Sequence, residues 1–207
     1  MRRLPATMLF FALGGCAGMD AGECRTADWR AIGYEDGVQG RDAAAFGAHR
    51  KACAEHGVSA DLDAWLGGRG EGLEHFCRPQ NGYRLGALGN PYAGVCPLAL
   101  EAGFVAAHAE GYGLYQREAA LRQLGKQLHY SRRRAEEIEY LLADRTALLI
   151  SPNLEAAARA SIAIELKQLA QEKIRIEQSI DQLEYDYAAA EQEYEDYRNH
   201  SADRHGG

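Results

Sequence analysis

Residues 32–40 read IGYEDGVQG, with Gly33, Gly37 and Gly40 set around the carboxylates of Glu35 and Asp36. A phosphate-cradling glycine loop needs an apolar strand before it and a helix amino terminus facing the anion after it. Here the preceding ADWRAI has no strand-like alternation, no GK[ST] follows, and two carboxylates repel an anion. Glu35, Asp36 and Asp42 do not supply the alternating oxygen ligands of a calcium loop either. Counted from Trp29, the three glycines fall at four, eight and eleven residues, which is one face of a helix.

The same pattern returns further on. Trp65, Gly68 and Gly72 stand in AWLGGRGEG, and Phe104, Ala107 and Gly111 in FVAAHAEG, each a large aromatic followed by small residues at three and seven. Glycine inside a helix costs about 0.8 to 1 kcal/mol relative to alanine, so its recurrence needs compensation. Close approach of neighbouring backbones supplies it, with the aromatic filling the wider end of the gap. The acid before each second small position, Asp36, Glu71 or Glu110, is expected to pair between helices with Arg69, His108 or Arg50.

From Pro97 onward the composition shifts to Ala, Leu, Glu, Gln and Arg, with no glycine between Gly125 and the terminal pair. Leu114, Leu121, Leu128, Ala135, Leu142 and Leu149 recur every seven residues, with Leu124 and Ile138 between them. That predicts one helix from near Leu98 to near Ile150. Ser151-Pro152-Asn153 breaks it. A second helix carries Ile162, Leu166, Leu169, Lys173, Ile176, Ile180, Leu183, Tyr187, Ala190, Tyr194 and Tyr197 at three-four spacing, with Lys173 the residue out of character. Two such helices joined by a short turn predict an antiparallel coiled-coil hairpin of roughly 50 to 60 Å; self-association through the seam is the competing arrangement.

The fold class expected is therefore all-α: a small, disulfide-stapled, glycine-rich helical domain followed by a long helical hairpin. The expected boundaries are a signal peptide at 1–15, a lipidated linker at 16–23, the stapled domain at 24–113, the hairpin at 114–198 with its turn near 151–153, and a disordered tail at 199–207.

The signal is read from MRRLPATMLFFALGGCAG, in which Arg2 and Arg3 precede a short apolar core that ends at Gly14, Gly15 and Cys16. Leu13 to Cys16 resembles a bacterial lipobox, which implies diacylglycerol on the Cys16 thiol, cleavage before it, and an acyl chain such as palmitate on the new amino terminus. Each buried methylene adds about 0.8 kcal/mol to such an anchor. Ala17 after the cysteine, where retained lipoproteins often carry Asp, implies an outer-membrane protein facing the periplasm. The formal net charge of -7 offers no field for nucleic acid.

Setting Cys16 aside leaves Cys24, Cys53, Cys77 and Cys96, an even number in an oxidising compartment, so two disulfides are expected. Three connectivities exist, and Cys24 with Cys53 and Cys77 with Cys96 close the local loops. The alternative is a metal site on His49, Cys53 and His56, at i, i+4 and i+7, with Cys24 or His75 as a fourth ligand. No CxxC or HExxH supports it.

Catalytic motifs are absent as well. There is no GxSxG, and Glu35 and Asp36 are adjacent, so they cannot flank one glycosidic bond. Neither a catalytic residue nor a cofactor is assigned. NGYRLG and NPYAGV repeat an Asn-x-Tyr unit within the expected loop from Arg78 to Pro97, making Asn81, Tyr83, Asn90 and Tyr92 candidate sugar-binding residues. Their other reading is a pair of turns whose tyrosines cover the core.

Taken together, ECRTADWRAIGYEDGVQG, HRKACAEHGV, AWLGGRGEGLEHFC and NGYRLGALGNPYAGVCP resemble the YfiL-like lipoproteins, a bacterial family classed as a domain of unknown function. The resemblance covers Cys16 to Tyr115, implies an envelope lipoprotein with no known activity, and leaves the hairpin outside. The expected function is a non-enzymatic scaffold or binding protein of the envelope. Its membrane contact is the lipid anchor, its hairpin meets another envelope protein, and peptidoglycan is a further candidate ligand. The alternative is an envelope glycan-binding protein or hydrolase using the 78–97 loop.

Overall fold

A computed structural model describes residues 19–205; the expected signal peptide, the expected lipidation site Cys16 and the last two glycines lie outside them. Among the described residues the chain is all-helical, with α1 (Ala21–Thr26), α2 (Trp29–Val38), α3 (Ala44–Ala54), α4 (Leu62–Phe76), α5 (Pro79–Ala87), α6 (Leu98–Leu149) and α7 (Ala156–His205). None of these helices is long and apolar enough to cross a membrane. The chain divides into two compact units. Among the described residues, one takes those up to Arg78 together with Ala93–Phe104, and the other takes Pro79–Tyr92 together with those from Val105.

In the first unit, α1 begins inside the stretch expected to be linker. Asp20 Oδ1 accepts the N–H groups of Gly22 and Glu23 at 2.7 and 2.8 Å, and Glu23 Oε2 accepts that of Asp20, a capping box. The N–H groups of Glu23 and then Gly22 hold the Asp20 carboxyl below its ordinary range. Cys24 is thereby presented to Cys53 on α3, and the two form one disulfide; Cys77 and Cys96 form the other. Trp29, Trp65 and the Cys24–Cys53 bridge form the core, with Phe46 packed edge-on to Trp29 and against Trp65.

Helices α2 and α4 cross with their backbones in contact. A methyl group at Gly33 would lie 2.1 Å from the Trp65 carbonyl oxygen, and one at Gly68 1.9 Å from that of Arg30. Gly37 and Gly72 make the reciprocal approaches, at 2.3 Å to Arg69 and 2.2 Å to Tyr34. No side chain fits there, which is why the helices tolerate glycine. Gly40 differs from the helical reading. Helix α2 stops at Val38, and Gly40 sits past its end at φ +67° with the Phe76 ring over it.

The second unit repeats this contact. The expected loop at 78–97 contains helix α5, which starts with Pro79 at its first position, where the missing N–H is harmless. A methyl at Gly86 would lie 2.1 Å from the His108 carbonyl oxygen, and one at Gly111 2.0 Å from that of Tyr83. Gly89 follows at φ +73° beneath the Tyr115 ring. There are thus four small-residue segments in two pairs, rather than three.

Beyond Gly111, α6 and α7 form the antiparallel hairpin. Arg132 meets Glu184 at 2.7 Å, Arg134 meets Glu172 at 2.8 Å and Arg145 meets Glu165 at 3.0 Å, so the residue number falls along α7 as it rises along α6. Ile138 and Leu169 are buried in the seam. Lys173 keeps its place there by reaching Glu139 at 2.8 Å and Glu177 at 3.3 Å, whose contacts, Glu139 first, raise its pKa. The turn is held by Arg159, which donates to the carbonyls of Leu149, Ser151 and Leu154 and so satisfies the end of α6. The tail expected to be disordered is helical through His205, and Ser201 is fully buried.

Candidate functional site

The polar centre of the first unit is Asp36, which is 3% exposed. Its Oδ2 accepts from Trp65 Nε1 at 2.9 Å and from His49 Nε2 at 3.0 Å, and its Oδ1 accepts from Arg41 Nη1 at 3.2 Å. A buried carboxylate is tolerable only with such donors around it. All three lock α3 and the end of α2 onto Trp65. The group works as a structural bolt with no nucleophile among these contacts.

The three acids do pair with bases, but with different ones from those expected. Asp36 holds Arg41 and His49, Glu71 holds Arg30 of α2, and Glu110 meets Arg204 of α7 at 3.2 Å. Arg69 instead donates from Nε and Nη2 to the Arg41 carbonyl at 3.0 and 2.8 Å, and His108 Nε2 donates to that of Asn90 at 2.8 Å. The metal alternative fails on chemistry. The Cys53 sulfur is spent in a disulfide, His49 Nε2 is on Asp36, and His56 lies beyond the end of α3. Among the described residues, no group of three or more His, Cys, Asp or Glu is placed to hold a metal ion.

The two Asn-x-Tyr units diverge. Asn81 and Tyr83 ride on α5, where Asn81 Oδ1 accepts from Arg84 and the Tyr83 hydroxyl lies 2.9 Å from Ser201 Oγ. Tyr83 is half-buried against α7. Asn90 and Tyr92 lie after α5, with Asn90 giving its carbonyl to His108 and the Tyr92 ring 6.4 Å from the same imidazole. From His108 a run of rings continues along α6. His108 and Tyr112 are nearly parallel at 7° and 6.3 Å, and Tyr112 and Tyr115 follow at 27° and 5.8 Å. Sequence reading named Tyr92 and missed His108, Tyr112 and Tyr115 as its companions. The i, i+4, i+7 spacing of those three was available as the signal.

The hairpin carries further exposed side chains. Tyr187, Tyr194 and Tyr197 are half-buried in the seam, and the Tyr197 hydroxyl donates to the Glu110 carbonyl at 3.0 Å with Arg117 4.0 Å over its ring. Outside the seam, Tyr130, Tyr140, Ile164, Ile174 and Tyr185 are exposed along the rod, and Ile150 is 76% exposed at the turn that Arg159 clamps.

These features define a disulfide-stapled, all-helical protein with two close-packed helix pairs and a coiled-coil hairpin. Residues 28–113 match a family described as "Protein of unknown function (DUF2799)". The match begins at the Asp28 cap of α2 and ends just past Gly111, so it spans both helix pairs and stops where the hairpin begins. No curated protein and no solved structure matches the chain.

Proposed function

We propose that the chain is a non-enzymatic scaffold or binding protein of the bacterial envelope, anchored in the outer membrane through lipidated Cys16, facing the periplasm and using its hairpin to contact another envelope protein. The observation that carries this reading is the set of large apolar side chains exposed outside the seam of the hairpin. Tyr130, Tyr140, Ile164, Ile174 and Tyr185 are all exposed on helices held in register by cross-helix ion pairs. Aromatic and aliphatic side chains in solvent on a rigid rod favour a partner surface over a free coiled coil.

The test is site-specific photocrosslinking in intact cells. A photoreactive residue at Tyr140 or Ile164 is expected to give a discrete adduct, and one at exposed Leu62 of the stapled part none. Equal labelling from Leu62, or no adduct from any hairpin position, overturns the reading. The anchor is tested separately: Cys16→Ala should move the protein from the membrane to the soluble fraction.

A second reading is favoured by the ring run Tyr92, His108, Tyr112 and Tyr115, because sugar rings stack on exposed aromatic faces. If it takes peptidoglycan, Tyr112→Ala will reduce cosedimentation with purified sacculi; unchanged cosedimentation removes it.

A further inference from the structure

In a chain of net charge -7, residues 126–134 read KQLHYSRRR and concentrate Lys126, His129, Arg132, Arg133 and Arg134 on α6. Two of the arginines are committed, Arg132 to Glu184 and Arg134 to Glu172 and Glu137. Lys126, His129 and Arg133 carry no ion pair among the described residues, and neither does Arg175 on α7. Between Lys126 and Arg133 stands Tyr130, which is 73% exposed.

Tyr130 forms a wall of two hollows. One, of about 490 Å³, is the groove between the helices, lined by Lys126, Gln127, Tyr130 and Ser131 of α6 and Ser179 and Leu183 of α7. The other, of about 480 Å³, is lined by His129, Tyr130, Arg133, Arg134 and Glu137 of α6. Arg175 precedes Ser179 by one helical turn and so lies on the same side of α7, next to the groove's lining. The inter-helix groove therefore has an apolar floor at Leu183, small residues on both walls at Ser131 and Ser179, an aromatic rim at Tyr130 and the unpaired Lys126 at its edge, with Arg133 in the adjoining hollow.

We propose that this groove takes an acidic amphipathic helix of another protein, laid along α6 and α7 as a third strand of the coiled coil. The proposal rests on the hairpin being the contact surface and names the chemistry of what it meets. Charge selects the sign of the partner, since the unpaired groups at the rim are cations in an otherwise acidic molecule. Shape selects a helix. The small serines let a backbone approach, and Leu183 and Tyr130 meet an apolar stripe recurring at three and four residues. Lys126 and Arg133 are seven residues apart on one face, so they match carboxylates at i and i+7 of the incoming helix. A lone phosphate fits less well, because every one of these cations is solvated and exposed ones attract weakly.

The experiment uses the full chain, oxidised, and a fluorescent 21-residue peptide of Leu and Glu heptads, read by anisotropy. Two controls are a scrambled peptide of the same composition and polyglutamate. Binding by the patterned peptide alone is expected. Lys126→Glu with Arg175→Glu should weaken it about tenfold, as two rim charges reversed. Tyr130→Ala should weaken it about fivefold by loss of the aromatic contact. Unchanged thermal midpoints for both variants show that the hairpin still forms. Equal binding of the scrambled peptide or polyglutamate, no binding of the patterned peptide, or affinity indifferent to either variant overturns the proposal. Hairpin photocrosslinks that persist in the charge-reversed chain would sink the groove and leave the scaffold reading standing, whereas absence of those crosslinks in the unaltered chain removes the scaffold reading itself.

Discussion

The α2/α4 pair and the α5/α6 pair are built on one scheme. GYEDGVQG at 33–40 corresponds to GYRLGALG at 82–89, and Trp65, Gly68, Gly72 and Phe76 correspond in spacing to Phe104, Ala107, Gly111 and Tyr115. Each pair has backbone approach through small residues, then a glycine at positive φ under the last aromatic, Phe76 over Gly40 and Tyr115 over Gly89. The difference that changes the packing falls at the fourth residue of the octet. Asp36 is buried and bolted to Trp65, whereas the same step in the second pair is Leu85, opposite a partner helix that carries Phe104 where the first carries Trp65. The shared part is backbone geometry, which any sequence with glycine at those steps can adopt. The carboxylate and the indole N–H are a matched local addition, and each requires the other.

The largest effect should come from the shared part. Gly68→Ala places a methyl 1.9 Å from the Arg30 carbonyl, and Gly111→Ala places one 2.0 Å from that of Tyr83. Backbone cannot yield as a side-chain tip does, so each should lose about 3 kcal/mol or more in urea unfolding. A large loss at one site and none at the other would show that the two pairs are not equivalent.

Disulfide removal comes next. Cys24 with Cys53 and Cys77 with Cys96 close separations of 29 and 19 residues. Chain entropy gives each about 3 kcal/mol, so Cys24→Ser/Cys53→Ser and Cys77→Ser/Cys96→Ser should lower the unfolding midpoint by nearly equal amounts.

The difference between the pairs is tested by making the first like the second. Asp36→Leu strands the Trp65 N–H and removes the partner of His49, which should lose about 2 kcal/mol. Adding Trp65→Phe removes the stranded donor and should recover part of that loss in thermal denaturation. A double variant worse than the sum of its parts would mean that the indole is needed for volume rather than for its hydrogen bond.

The smallest effect concerns the hairpin. Arg159→Ala should lose about 1 kcal/mol and speed amide exchange at Ser151 and Leu154, because three carbonyls lose their donor. Exchange unchanged at the turn would show that water replaces the guanidinium without loss.

Much of this architecture was legible. The heptads located α6 at Leu98–Leu149, within one residue of the expected end, because a seam spaced at three and four residues has no other low-energy reading in water. Helix α5 was not legible in the same way. Asn81-Gly82 is a local turn signal and Asn90-Pro91 another, and they masked the Gly82-to-Gly86 spacing that matches Gly33-to-Gly37. Tertiary contact overrode the local preference. At the candidate surfaces, the net charge of -7 hid the basic run at 126–134, and which of its arginines stay unpaired depends on where α7 places Glu172 and Glu184.

By itself the sequence determined the all-helical class, the existence and length of the two long helices, and an even set of cysteines able to pair. Those follow from periodicity and local chemistry, which act between residues a few steps apart. Only the tertiary structure decided that the small-residue segments number four and meet in twos, that Asp36 faces Trp65 and His49 while Glu71 faces Arg30, and that Tyr130 stands in solvent among unpaired cations. Each of these depends on which faces meet across long separations in the chain, and residue spacing along a single helix carries no information about its neighbour.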